Sequence, residues 1–127
     1  MDTQQKSHTS LLDDWERCKG FIEPALEYAG HSHTIDDVWD AIDNKYAAFF
    51  PFEKSAIVVE IVKYPQAKSC RIWLAGGDMD ELMEAEKKVA KWAKSEGCDG
   101  MEIICRHGWK RQLKDYNAVA TVLAKDL

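Results

Sequence analysis

The chain has 127 residues, 46% of them hydrophobic and 31% charged, with a formal net charge of −5. This size fits one domain able to bury its own core, and no apolar run is long enough to cross a bilayer. The polar opening MDTQQKSHTS has the character of neither a signal peptide nor a transit peptide, so residues 1–10 read as a frayed tail and residues 11–127 as the domain.

Charge is unevenly spread. Residues 1–53 hold eleven acids and four bases, a net of −7; residues 54–127 hold eleven acids and thirteen bases, a net of +2. The acidic half argues against a general nucleic-acid binder, which presents a broad basic face. Cys18, Cys70, Cys98 and Cys105 form no C-x-x-C pair, and without a secretory signal they are expected to be reduced. Five tryptophans promise large aromatic anchors.

In chain order, Leu11, Leu12, Trp15, Cys18, Ile22, Ala25, Leu26 and Ala29 recur at helical spacing. Gly20 and Pro24 interrupt them, and proline suits a first turn rather than an interior. The pattern therefore predicts two short helices, or one that restarts near Glu23, with Gly30 as the stop. A second helix opens at Thr34, an N-cap with Asp37 three residues on, and carries Ile35, Val38, Trp39 and Ile42 as its stripe. A short strand is expected over residues 47–50. The runs SAIVVEIVKY and SCRIWLA, separated by PQAK, predict an antiparallel hairpin turning at Pro65 and Gln66.

DELMEAEKKVAKWAKSEG is the clearest helix. Leu82, Ala85, Val89, Trp92 and Ala93 share its inner face, Glu84 and Lys88 have ion-pair spacing on the outer one, and Gly97 ends it. Residues 101–105 follow as a buried strand, 109–116 as a short helix or turn, and 118–124 as a closing strand. The order predicts an α+β domain with a mixed sheet.

Several residues invite a chemical reading. Glu60 interrupts IVVEIV and is either a general base or a solvent-facing edge residue. Cys105 and His107 are placed to share one side of a strand end, but no third residue orients them, so a buried cysteine beside a loop histidine is the better reading. His31 and His33 form an H-x-H that suits a turn better than a metal, and no metal is expected. The string CRHGWKRQL gathers Arg106, Trp109, Lys110 and Arg111. A nucleic-acid role would need a larger basic surface. The string reads instead as partner-binding or structural: Gly108 turns the chain, Trp109 covers the sheet end, and Arg106 and Arg111 pair with acids of the N-terminal helices.

From IWLAGGDMDELMEAEKKVAKWAKSEGCDGMEIIC the chain resembles the central unit of the GCN5-related N-acetyltransferase (GNAT) family, a strand, glycine turn, long helix and strand. More narrowly, VEIVKYP, RIWLAGGD, WAKSEGCD and CRHGWKRQLKDY are similar to small GNAT-like proteins encoded by tailed phages and prophages. The resemblance runs from about Phe21 to Leu127. It implies a GNAT-like fold in which acyl-CoA sits between splayed strands at 71–75 and 101–105. Trp73 and Leu74 would face the acyl and pantetheine part, and Ala75, Gly76 and Gly77 would lead to a pyrophosphate at the helix start near Asp78. It also implies Glu60 as base and Tyr116 as acid.

The residues depart from that pattern. Where active members resemble Arg/Gln-x-x-Gly-x-Gly/Ala, this chain has AGGDMDELMEA. Asp78 and Glu81 form a D-x-x-E cap, and with Asp80 they crowd the helix start with negative charge. Each such charge opposes an anion by on the order of 1 kcal/mol or more at an intermediate dielectric. Near Tyr116 the LYxxxGF ending is absent, and Asn117 stands where the phage-type pattern has glycine. The expectation is a phage-type protein with a degenerate acyl-CoA site, a non-catalytic virion or assembly component without a cofactor. It would have protein partners or self-associate, contact neither membrane nor nucleic acid, and reside in the bacterial host cytoplasm or the virion. The alternatives are an acetyl-CoA-dependent N-acetyltransferase and a small host-interaction protein.

Overall fold

Strand β2 (Ser55–Tyr64) serves two cores at once. Ala56 and Val58 face one layer, while Ile57, Val59 and Ile61 face the other, as strand alternation requires. The computed structural model describes residues 8–28, 32–105 and 107–127. Strand β1 (Ala48–Pro51) pairs antiparallel to one edge of β2, and Pro51 ends it on the outside of the sheet, where a missing N–H costs nothing. Strand β3 (Ala67–Gly77) pairs antiparallel to the other edge through the two-residue turn at Pro65 and Gln66. Helix α3 (Met79–Ser95) then crosses over to β4 (Gly100–Ile103), which runs parallel to β3. The sheet order is β1-β2-β3-β4.

Helices α1 (His8–Tyr28) and α2 (Ile35–Asp43) cover one face. Trp15, Cys18, Ile22, Val38 and Ile42 pack there on Phe49, Ala56, Val58 and Leu74. Helix α3 covers the other face, with Leu82, Ala85, Val89 and Ala93 against Phe50, Ile57, Val59, Cys70 and Ile72. The result is an α+β domain with a mixed four-stranded sheet between helical layers.

Several expectations hold. Thr34 caps α2 in a full capping box, its Oγ1 accepting from the Asp37 N–H at 3.1 Å and Asp37 Oδ2 accepting from the Thr34 N–H at 2.8 Å. Those bonds hold the Asp37 carboxyl below its ordinary value. Others are corrected. Helix α1 does not break at Pro24 but runs through it. The hydrogen bond that proline cannot make is the one to Gly20 four residues earlier, and both residues lie on the exposed side. Burial of Ile22 and Leu26 on the opposite side keeps the helix intact. The helix begins at His8, inside the expected tail, and Gly30 lies outside the described residues. On α3, Glu84 pairs with Lys87 at 3.5 Å rather than with Lys88, whose ammonium lies 5.8 Å from the Phe52 ring centre.

Past β4 the chain departs further from expectation. The strand ends at Ile103, not at Cys105, and helix α4 spans His107–Gln112 instead of 109–116. The closing strand at 118–124 does not form: the segment pairs with nothing among the described residues, and Val119 and Leu123 are 91% and 90% exposed.

Helix α1 reaches the sheet at one glycine. A Cβ built on Gly76 would stand 1.8 Å from the Phe21 carbonyl oxygen, whereas one on Gly20 meets nothing within 4 Å. Gly76→Ala is expected to destabilise the fold by about 1–3 kcal/mol, because backbone cannot move aside as a side chain can. Gly20→Ala is expected to stabilise it by about 0.5–1 kcal/mol, as a glycine removed from a helix interior. Urea unfolding of the two variants reads both signs.

Candidate functional site

The pairing register contains one irregularity. Val58 opposes Leu74, and the next pair is Val59 with Ile72, so Trp73 is an extra residue, a bulge in β3. Trp73 and Leu74, although consecutive, therefore both pack into the α1/α2 layer. Parallel pairing between β3 and β4 stops one step earlier, at Ile72 with Ile103. Beyond this point β3 stays with β2 as far as Gly77, and β4 gives way to the segment leading to α4.

A cleft of about 520 Å³ opens where the two strands part. Trp73, Leu74, Ala75, Gly76 and Gly77 form one wall, and Ile103, Ile104, Cys105 and Trp109 the other. The expected cofactor-binding positions thus lie together, with Trp109 across from them. The sequence reading missed the third wall, Phe21, Pro24 and Tyr28 of α1. Its only signal was the pair of helix breakers, Gly20 and Pro24, on the same helix face.

At the α3 end of the cleft, the cap residue and Glu81 are engaged by the protein itself. Only Asp78 separates the last residue of β3 from the first of α3. Its N–H donates to the Lys54 carbonyl at 2.9 Å. Its carboxylate caps the helix, accepting from the Glu81 N–H at 2.9 Å. Glu81 Oε1 reaches back to accept from the Lys54 N–H at 2.8 Å and from the hydroxyl of Ser55 in a short contact. Ser55 is wholly buried, so this carboxylate is its partner in the interior.

The residues considered for acid–base chemistry stand elsewhere. Glu60 lies opposite Arg71 across the β2–β3 ladder and pairs with it at 3.7 Å. Arg71 also pairs with Glu102 at 3.3 Å, and Tyr64 donates to Glu102 at 3.0 Å. Burial alone would raise the Glu102 carboxyl, but bonds from Ser69, Tyr64 and Arg71 outweigh it and hold the group low. Tyr116 donates to Glu86 on α3 at 2.7 Å. Burial, then this bond, raises its phenol well above the ordinary value, so it stays protonated. Neither Glu60 nor Tyr116 lines the cleft.

Cys105 does line it, and is exposed there rather than buried as expected; partial desolvation still raises its thiol despite nearby Lys110. It is therefore not an activated thiolate. Cys70 is pushed up to about 12 by burial and then by Cys98. All four cysteines are free. His33 accepts or donates at 2.7 Å with Ser32 and sits edge-on to Trp73 with ring centres 5.0 Å apart, while His31 lies outside the described residues. Among the described residues no cluster of ligating side chains could hold a metal, and no helix is long and apolar enough to cross a membrane.

The basic string is split by its short helix. Trp109 packs against the α3-side core and Leu113 is buried, so Lys110 and Arg111 project outward and are exposed. Among the described residues neither makes an ion pair. The expected tie from Arg111 to acids of the N-terminal helices is thus corrected, and Arg106 lies outside the described residues. Arg17 of α1 instead binds the carbonyls of Phe52 and Glu53 at 2.9 and 3.3 Å.

No protein-family model and no curated protein matches the sequence. Solved structures do match in shape. A possible acetyltransferase from Clostridium difficile 630 aligns with a TM-score of 0.59 at 13% identity, over 91% of this chain and 92% of that one. The protein TTHA1254 of Thermus thermophilus aligns at 0.58 and 12% identity, and its point mutant at 0.60 and 11%, each over 91% of both chains. The fold is GNAT-like.

The family resemblance would put an acyl-CoA in the cleft between β3 and β4. Apolar residues such as Leu74, Ile103 and Trp109 line it, but the start of α3 does not fit a pyrophosphate. The loop that would cradle it is reduced to Asp78, and three carboxylates, Asp78, Asp80 and Glu81, crowd the first turn of α3 and its cap. Glu81 is the keystone of this closure. Glu81→Ala is expected to lower stability by about 1–3 kcal/mol, because the Ser55 hydroxyl is left buried without an acceptor. Glu81→Gln retains an acceptor oxygen and is expected to lose much less, as read by thermal unfolding.

Proposed function

We propose that this chain is a non-catalytic GNAT-like protein of phage type, a virion or assembly component whose acyl-CoA site is degenerate. The observation that carries this reading is the closure of α3: the cap residue, the Glu81 N–H and the Glu81 carboxylate are all engaged with the protein itself. The other candidate groups support it, since Glu60 is paired with Arg71 on the sheet face and Tyr116 is tied to Glu86. The phage context comes from the resemblance of the strand and CRHGWKRQLKDY segments, and Trp109 with the outward Lys110 and Arg111 offers a partner the kind of residues that anchor interfaces.

One observation favours a second reading, an N-acetyltransferase using acetyl-CoA. The β3–β4 cleft remains open along Trp73 to Gly77, and the Clostridium difficile relative in shape is described as a possible acetyltransferase.

Release of CoA thiol from acetyl-CoA, followed with a panel of amine acceptors, separates the two. The proposal expects no turnover above the rate without protein, and expects mass spectrometry to find the chain in particles purified from its source. Sustained turnover dependent on an acceptor amine would overturn it in favour of the enzyme.

A further inference from the structure

The chain contains a strand without a sheet and a sheet edge without a strand. The segment 118–124, AVATVLA, is rich in β-branched residues and free of charge. Val119, Val122 and Leu123 are 91%, 65% and 90% exposed. Large apolar side chains exposed close together on a segment without regular structure signal a missing partner. Strand β4, for its part, pairs with β3 alone among the described residues. Its outer backbone row is unpaired among those residues, and Ile104, just past its end, is 67% exposed. An uncovered edge of this kind templates pairing with another chain.

We propose that residues 118–124 of one molecule add as a strand to the free edge of β4 in a second copy, and that the exchange is reciprocal. Every copy carries one donor segment and one acceptor edge, so a two-fold pair satisfies both and leaves neither over. The backbone bonds supply affinity, and Val119 and Leu123, each two residues from Thr121, share one face of the added strand. The chain before the segment is anchored in its own copy: Tyr116 donates to Glu86 of α3, and Leu113 is buried. The segment beyond stays exposed there, where the β4 edge of a second copy can meet it. The inference does not rest on the assembly reading: an exchanged dimer that turned over acetyl-CoA would refute that reading and leave this one standing.

The test is light scattering on the full chain at high micromolar concentration, with hydrogen exchange of the Gly100–Ile103 amides measured on the same samples. The expected result is a particle of twice 14.5 kDa with protected β4 amides. Val119→Asp with Leu123→Asp, and separately a chain ending at Asn117, should give a folded monomer whose β4 amides exchange at least tenfold faster. Both substitutions fall on side chains exposed in the monomer, so the monomer is expected to keep its fold. A full chain that stays monomeric, whether or not its β4 amides are protected, would overturn the proposal. So would a dimer that survives loss of the segment, or one that dissociates without any change in β4 exchange.

Discussion

The bulge at Trp73 sets the geometry on which everything else depends. One extra residue in β3 turns Trp73 and Leu74 toward the same layer and ends the parallel ladder at Ile72 and Ile103. A bulge adds local twist and redirects the strand that carries it. Here that separates β3 from β4 and makes room for the cleft, while β3 keeps its bonds to β2 through to Gly77. The tryptophan indole is in turn fixed by the edge of His33 and by the α1/α2 core.

The two glycines that follow show how the same residues serve opposite ends. In the sequence, Gly76 and Gly77 look like open backbone awaiting a phosphate. In the folded chain both are spent on close approach of protein to protein. Gly76 admits the α1 backbone at Phe21. Gly77, with φ of +115°, admits the backbone at Lys54 and Ser55, where a Cβ would meet the Lys54 carbonyl at 2.3 Å. That approach lets Asp78 bond to Lys54 and brings Glu81 to buried Ser55. Closure of the helix start is thus a packing consequence of the glycine pair, and the acidic residues complete it.

Much of the architecture was legible because it follows local rules. The alternation of SAIVVEIVKY, the turn at Pro65 and Gln66, the Thr34–Asp37 box and the stripe from Leu82 to Ala93 each depend on neighbours in the chain. What was not legible depends on contacts far along it. Pro24 reads as a break, but burial of Ile22 and Leu26 overrides it. The bulge at Trp73 has no residue signature, since the extra residue is visible only in the register with β2. The segment 118–124 has the composition of a strand, yet strand formation needs a partner that periodicity does not name. At the site, the wall from Trp73 to Gly77 was readable from the resemblance, whereas the destinations of Glu60 and Tyr116 were set by Arg71 and Glu86.

The central claim is that the protein's own groups close the helix start at which a CoA pyrophosphate would bind. Calorimetric titration of the purified chain with CoA and acetyl-CoA tests it most directly. The account predicts no binding heat up to millimolar ligand. Micromolar binding of both, with a contribution from the phosphates that vanishes for pantetheine alone, would contradict it and show that the α3 terminus opens to take the anion.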